Sequence, residues 1–153
     1  MGCDIHTHAE RKVDGKYEAI KDLHPFDWRS YAMFGWFADV RNYSDVPPLS
    51  DERGLPDDVS DSVRTEHMGW GGDAHTASWM SVEELTAFNY DQPVEDRRVM
   101  VQLAENVVSG AGTSDHGGGE MTTYREFLGP AFFRDLDALV SAGADRIVFW
   151  FDN

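Results

Sequence analysis

The first strand-like segment constrains the fold most strongly, because its side chains alternate with a period of two. Across residues 3–12, small or apolar residues fill the odd positions and polar ones the even positions as far as residue 10. The even row consists of Asp4, His6, His8 and Glu10. Asp14-Gly15 follows, a pair typical of a two-residue hairpin turn, and residues 16–21 supply the returning strand. The sequence therefore predicts an N-terminal β-hairpin.

The last residues of the sequence predict a second strand, which further constrains the sheet. Residues 146–151 read Arg-Ile-Val-Phe-Trp-Phe, an almost unbroken apolar run. Such a run is typical of a strand that is buried on both faces. We therefore place it in the middle of the sheet, beside the hairpin. Asp152 would then meet Asp4 at one end of the sheet.

Capping residues and apolar periodicity predict several helices between these strands. Ser81 followed by Glu84 forms a capping box, and Thr123 with Glu126 suggests a capped turn. The predicted helices cover residues 30–40, 60–67, 82–88, 94–109 and 130–142. The fold class is α+β: a small, mostly antiparallel sheet packed against several helices. At 153 residues, we expect a single domain over residues 1–153.

Charge and composition exclude some functions. The formal charge of −15 comes from 28 acidic and 13 basic residues, and such a surface repels nucleic acid and anionic membranes. We therefore expect neither nucleic acid nor a membrane as a partner. The chain has one cysteine, Cys3, so no internal disulfide can form, which fits a reducing, cytoplasmic compartment. The oligomeric state is left open.

The even row of the first strand predicts a metal site. Residues two apart on a strand point the same way and lie about 6–7 Å apart, so Asp4, His6 and His8 could share a divalent ion. Imidazole nitrogen and carboxylate oxygen together suit zinc or manganese better than magnesium. Two alternatives stay open: a solvent-facing polar side of the hairpin, and a metal-free acid–base or ligand site.

Two glycine-rich loops carry the other candidate residues. The loop over residues 69–75 contains Trp70, which could face a pocket, Asp73, and His75 as a further metal ligand. Glycine lets a backbone approach a ligand closely and leaves its N–H groups unblocked. On that ground, the second loop predicts ligand contacts from Gly117, Gly118 and Gly119. The alternative for both loops is a plain surface turn.

Four segments together carry a resemblance. The chain opens Met-Gly-Cys-Asp-Ile-His with Glu10 following, has RGLPDDVS at 53–60 and WGGDAH at 70–75, and ends in a Val-Phe-Trp-Phe-Asp-Asn strand. In these segments it resembles a group of uncharacterised small bacteriophage and bacterial proteins. The resemblance implies a phage-associated accessory protein of the host cell cytoplasm and carries no activity with it. His8 is less typical of that group than Asp4 or His6.

The expected function is metal-dependent hydrolysis of a small phosphorylated or nucleotide-like substrate. A bound metal ion lowers the pKa of a water molecule, and Glu10 or Asp73 would act as the general base. The alternative is a non-catalytic binding module, which sequesters a nucleotide signal or inhibits a host protein. A minor virion protein is a third possibility.

Overall fold

The computed structural model describes residues 2–104, 107–113 and 119–153. The strands are β1 Asp4–Val13, β2 Lys16–Ala19, β3 His75–Ser81, β4 Pro93–Asp96, β5 Arg98–Ala104, β6 Val107–Thr113, β7 Glu120–Thr123 and β8 Arg146–Asp152. The helices are α1 Tyr31–Ala38, α2 Asp61–Trp70, α3 Val82–Ala87, α4 Tyr124–Leu128 and α5 Pro130–Ser141. This arrangement of helices and antiparallel strands confirms the α+β class.

The chain divides into two compact units. The first comprises Met1–Arg29, Ser50–Phe88 and Pro130–Asn153; the second comprises Ser30–Leu49 and Asn89–Gly129. The expectation of a single domain stays a prediction. No helix in the described ranges is long and apolar enough to cross a bilayer.

A four-stranded antiparallel sheet in the order β2-β1-β8-β3 forms the centre of the first unit. The predicted hairpin is confirmed: Asp14 and Gly15 both adopt positive φ angles, 51° and 80°, as a primed turn requires. The prediction for the last strand is also confirmed, because β8 lies between β1 and β3 and is buried from Arg146 to Phe151. Asp4 pairs with Asp152, as expected.

The face of the sheet that carries the even row is largely covered. His6 pairs with Trp150 and His8 with Val148, so these four side chains share one face. Trp150 and Val148 belong to a buried cluster with Val59 and Val63, the latter on α2. The even row therefore does not form the open, solvent-facing side of a hairpin.

Local capping signals position the helices as predicted. The Ser30 hydroxyl accepts from the Met33 N–H at the start of α1, and the Ser81–Glu84 capping box opens α3. Thr123 caps α4. The helix predicted over 60–67 is confirmed as α2, which continues to Trp70, and the one over 130–142 as α5.

The prediction of a helix over residues 94–109 is wrong. The described part of this range forms β4, β5 and the start of β6 in the second unit. The prediction relied on Val99, Leu103 and Val107, which are four residues apart. A spacing of four fits a strand period of two as well as a helical period of 3.6, and β-branched valine favours the strand.

The second unit contains two two-stranded antiparallel pairs, β4–β7 and β5–β6. Helix α1 contributes buried residues, among them Trp36, whose ring centroid lies 5.8 Å from that of Tyr90 and 6.1 Å from that of Tyr124. Gly119 belongs to this unit.

Candidate metal and ligand site

The residues of the even row border a cleft of about 380 Å³ in the first unit. We call it the histidine cleft. It is lined by Asp4, Ile5, His6, Thr7, His8, His24, Asp27 and Glu66. Three separate segments contribute: β1, the chain after β2, and α2. The cleft therefore depends on the tertiary fold and not on one local motif.

His6 is fixed by the end of the central strand. Its Nε2 lies 2.7 Å from Oδ2 of Asp152, which the β1–β8 register brings to the same end of the sheet. The His6 ring also lies against Trp70, with ring centroids 4.2 Å apart. The side chain is 26% exposed, so it remains accessible from the cleft.

His8 connects the sheet to α2. Its Nε2 contacts Oε2 of Glu66, and its ring stacks on Trp150 with centroids 5.3 Å apart. Burial lowers the pKa of His8, and the Glu66 carboxylate only partly opposes that effect. The imidazole is therefore neutral near pH 7, which is the form that binds metal ions.

One ring nitrogen of His24, a lining residue of the cleft, is held by the backbone of β1. Its Nδ1 lies 2.6 Å from the Thr7 carbonyl oxygen, and because a carbonyl can only accept, this nitrogen carries the proton. In the neutral tautomer with that proton, Nε2 carries the lone pair. A backbone carbonyl that holds one nitrogen of a histidine is a usual partner of metal-binding histidines.

The charges around the cleft are mainly negative. Asp4, Asp27 and Glu66 are lining residues, and among the residues of the described chain that line it there is no lysine or arginine. Arg29 offsets one of the carboxylates by donating from Nη2 to Asp4 Oδ1 at 2.9 Å. The cleft is thus suited to a cation.

His8, His24 and Glu66 line one cleft, but they do not form a metal site as they stand. In the described ranges, no three His, Cys, Asp or Glu side chains already stand together as a metal site. The rings of His8 and His24 are edge-on, with centroids 5.0 Å apart. Two rings bound tetrahedrally to one zinc ion have centroids roughly 5 Å apart. Glu66 is 51% exposed, so its carboxylate can move aside to admit an ion.

Glu10, predicted as a general base, has a different environment. It is fully buried, and its Oε1 accepts from Nε of Arg146 at 2.8 Å. Its Oε2 accepts from the backbone N–H of Ser60, also at 2.8 Å. Glu10 does not line the histidine cleft; its contacts are those of a structural ion pair.

Trp70, Asp73 and His75 are not among the residues that line the cleft. His75 pairs across the strands with Phe151, stacks on that ring and contacts Asn153. Asp73 is exposed on a 3₁₀ turn, and the ring of Trp70 contacts that of His6. Gly119 lies in the second unit. Gly117 and Gly118 are outside the described residues.

Sequence reasoning missed His24, Glu66 and the contact of Asp152 with His6. His24 lies directly after the hairpin and before Pro25. This short distance in sequence from the hairpin was the one signal that could have made it a candidate site residue. Glu66 is on the same α2 helix as Val63, so its side chain could have been placed near the sheet only once α2 was docked.

No protein-family model, curated protein or solved structure significantly matches this chain. Function is therefore inferred from the geometry of the cleft.

Proposed function

We propose that the histidine cleft binds one divalent transition-metal ion, zinc or manganese, and that the protein uses this ion in a hydrolytic reaction. The observation that carries the proposal is the meeting of His8, His24 and Glu66, which come from three distant parts of the chain, at one solvent-accessible cleft. Imidazole nitrogen with one carboxylate is a common donor set for a catalytic zinc ion.

Local charge and protonation support this assignment. The cleft has three carboxylates and no lining lysine or arginine within the described chain, so a divalent cation is favoured there. The bond from His24 Nδ1 to the Thr7 carbonyl fixes the tautomer that leaves Nε2 available. Carboxylate and imidazole donors of this kind bind zinc or manganese more readily than magnesium.

We include hydrolysis in the proposal because the cleft is open to solvent, so that an ion bound there could also coordinate water. A divalent ion there would lower the pKa of a coordinated water and polarise a substrate carbonyl or phosphoryl group. A phosphorylated or nucleotide-like substrate would need the charge of that ion, since the cleft alone repels anions. The setting we propose, a phage-associated accessory protein, comes from the sequence resemblance.

Elemental analysis of untagged protein tests the metal site. After dialysis against zinc or manganese, we expect about one ion per chain, and we expect His8→Ala, His24→Ala and Glu66→Ala each to lower that content severalfold. His75→Ala is the matched control and should leave it unchanged. Equal losses in the His75 and His8 variants, or no metal in the parent protein, would refute the assignment.

A second candidate is a binding module without catalysis. It is favoured by the positions of Glu10, which is buried in an ion pair, and of Asp73, which is exposed on a turn outside the cleft. Neither expected general base lines the cleft. The two functions differ in the fate of the ligand: a module returns it unchanged from the metal-loaded protein, whereas an enzyme returns hydrolysis products.

A further inference from the structure

We infer that Thr76 is an activated nucleophile, which takes the acyl group of a small uncharged ester, with His75 as its base and Asn153 as the residue that positions the base. This activity goes beyond the proposed function. The three residues, all within the described chain, are not among those that line the histidine cleft. The reaction needs no metal ion, so the two proposals can fail separately.

The hydroxyl of Thr76 lies within hydrogen-bonding distance of an imidazole. Its Oγ1 is 2.9 Å from Nδ1 of His75, the first residue of β3. The other nitrogen of that ring, Nε2, contacts Oδ1 of Asn153, which directly follows β8. A hydroxyl, a base within hydrogen-bonding reach and a third group that orients the base are together the signature of an activated nucleophile.

Asn153 decides which nitrogen of His75 carries the proton. An amide oxygen can only accept a hydrogen bond, so Nε2 of the ring donates it. In the neutral ring, Nδ1 then has no proton and accepts from the Thr76 hydroxyl. The His75 ring also stacks on Phe151, with centroids 6.0 Å apart and planes at 24°. The base is thus held in the tautomer and the orientation that allow it to remove a proton from Thr76.

The backbone at Thr76 has a conformation that threonine rarely adopts. Its φ angle is 55°, in the left-handed region, where a β-branched side chain is a genuine outlier. Residues held in such conformations cost free energy and persist only where the surrounding structure imposes them. They cluster at active sites and ligand clamps. The strain at this position therefore supports a functional role for the Thr76 side chain.

An extra residue in β3 lies at the same place. His75 pairs with Phe151 and Ser78 with Phe149, so three steps along β3 match two along β8. Such β-bulges re-aim a side chain and are over-represented next to active sites. β3 is the last strand of its sheet in the part of the chain that the structure describes, and His75 and Thr76 are only partly buried. A small molecule can therefore reach the hydroxyl.

Neighbouring charges limit the class of substrate. Asp73 is exposed on the turn that precedes β3, and Asp152 directly precedes Asn153 in the sequence. Their carboxylates repel an anionic acyl compound. An uncharged ester meets no such repulsion. If its alcohol is a good leaving group, attack by the Thr76 oxygen with removal of its proton by His75 is enough to transfer the acyl group.

The reaction has two steps. First, Oγ1 of Thr76 bonds to the carbonyl carbon and Nδ1 of His75 takes the hydroxyl proton; the ester C–O bond then breaks, and the departing alcohol receives that proton. Second, a water oxygen bonds to the acyl carbon and loses a proton to Nδ1. The bond from that carbon to Thr76 breaks, and the threonine oxygen takes the proton back. The products are the alcohol, a carboxylic acid and the unmodified protein.

Mass spectrometry of the full chain after brief exposure to para-nitrophenyl acetate tests the nucleophile. With a chelator present and an acid quench, we expect one acetyl group on Thr76 and an initial burst of nitrophenol. Thr76→Val should lose both, whereas Thr76→Ser, which keeps a hydroxyl, should retain them. Thr65→Val is the matched control, because Thr65 is an exposed threonine on α2, and it should behave like the parent protein.

Two further positions test the base and the residue that positions it. We expect His75→Ala to slow acetylation of Thr76 about a hundredfold. Asn153→Ala should slow it severalfold, and Asn153→Asp should restore it, because a carboxylate oxygen also accepts from Nε2. Urea unfolding of each variant verifies that it is folded. A rate that is unchanged in folded His75→Ala would overturn the role of the base.

Thr76→Asn tests the meaning of the strain. Asparagine adopts the left-handed region more readily than threonine, so we expect a higher urea midpoint together with loss of acetylation. A lower midpoint would assign the hydroxyl a structural role and overturn the inference. Two other results would overturn it as well: acetyl groups on lysine, histidine or the N-terminus but none on Thr76, and an equal burst in Thr76→Val and the parent protein.

Discussion

His8 and Glu10 are two residues apart on one face of β1, yet their surroundings differ. His8 faces the histidine cleft and contacts Glu66, whose side chain is half exposed. Glu10 is fully buried in what we call the arginine cluster, which consists of Glu10, Arg146, Asp58 and Tyr17. In this cluster the Arg146 guanidinium lies 3.5 Å from the centre of the Tyr17 ring and 2.9 Å from Asp58.

Cross-strand partners and edge coverage explain the contrast. Glu10 is opposite Arg146 on β8 and opposite Ala19 on β2, so strands cover it on both sides. His8 is opposite Val148, and β2 does not reach it. A polar residue that is enclosed on both sides needs a buried partner, whereas one that borders a cleft can remain available to a ligand. The arginine cluster therefore supports the fold, and the histidine cleft is the site where we propose that a ligand binds.

The largest expected effect is on the arginine cluster. Glu10→Ala leaves the buried Arg146 charge without its main partner and the Ser60 N–H without its acceptor. Breaking a buried ion pair in this way typically costs about 3–5 kcal/mol of the free energy of unfolding. Urea unfolding of the metal-free protein measures it.

The exposed Glu18→Ala variant serves as the control and should change the free energy by less than about 0.5 kcal/mol. If Glu10→Ala does not fold, the double variant Glu10→Leu with Arg146→Met should recover most of the loss, since apolar pairs can replace buried ion pairs. A cost below about 1 kcal/mol for Glu10→Ala would contradict the structural role of Glu10 and favour the role of a base.

The pH dependence of stability tests a second arginine pair near this cluster. Arg53 donates from Nη1 and Nη2 to Glu84 at 2.7 and 2.6 Å, and these bonds lower the pKa of Glu84 to about 2. Because the folded pKa is depressed, its stabilisation is present above the ordinary value of 4.5 and is lost as the pH falls toward 2.

After allowance for the one-third exposure of Glu84, the expected loss is about 1–2 kcal/mol. The measurement is urea unfolding between pH 5 and pH 2 for the parent protein and for Glu84→Gln. Other carboxylates titrate in both proteins, so the difference between the two curves isolates Glu84. Parallel curves would show that the Arg53 pair contributes nothing to stability.

Local signals were enough to predict most of the first unit. The turn at Asp14 and Gly15 and the capping box of Ser81 and Glu84 depend on residues at most three apart, so the sequence alone specifies them. The central position of β8 followed from its apolar run. The prediction for residues 94–109 failed because a spacing of four does not distinguish a helix from a strand.

The candidate site was only partly predictable, because its second half is not local. Alternation along β1 was enough to place His6 and His8 on one face. His24 and Glu66 follow His8 by 16 and 58 residues, and they reach it only through the path of the chain after β2 and the docking of α2. Glu10 follows His8 with the same two-residue spacing that separates His6 from His8, and this spacing gave no sign that Glu10 would be buried beside Arg146. Strand register and edge coverage decide these positions.

The smallest expected change in the free energy of unfolding is that of Glu66→Ala, which we compare with Glu10→Ala. Glu66→Ala removes a half-exposed carboxylate from a helix, and alanine is at least as good a helix former. Without metal, we therefore expect the free energy of unfolding to change by less than about 0.5 kcal/mol. With zinc at 100 times its dissociation constant, the parent protein should gain about 2.7 kcal/mol, and the variant should gain much less. Urea unfolding with and without zinc measures both. A metal-free loss in Glu66→Ala as large as that in Glu10→Ala would mean that the two regions share one structural role.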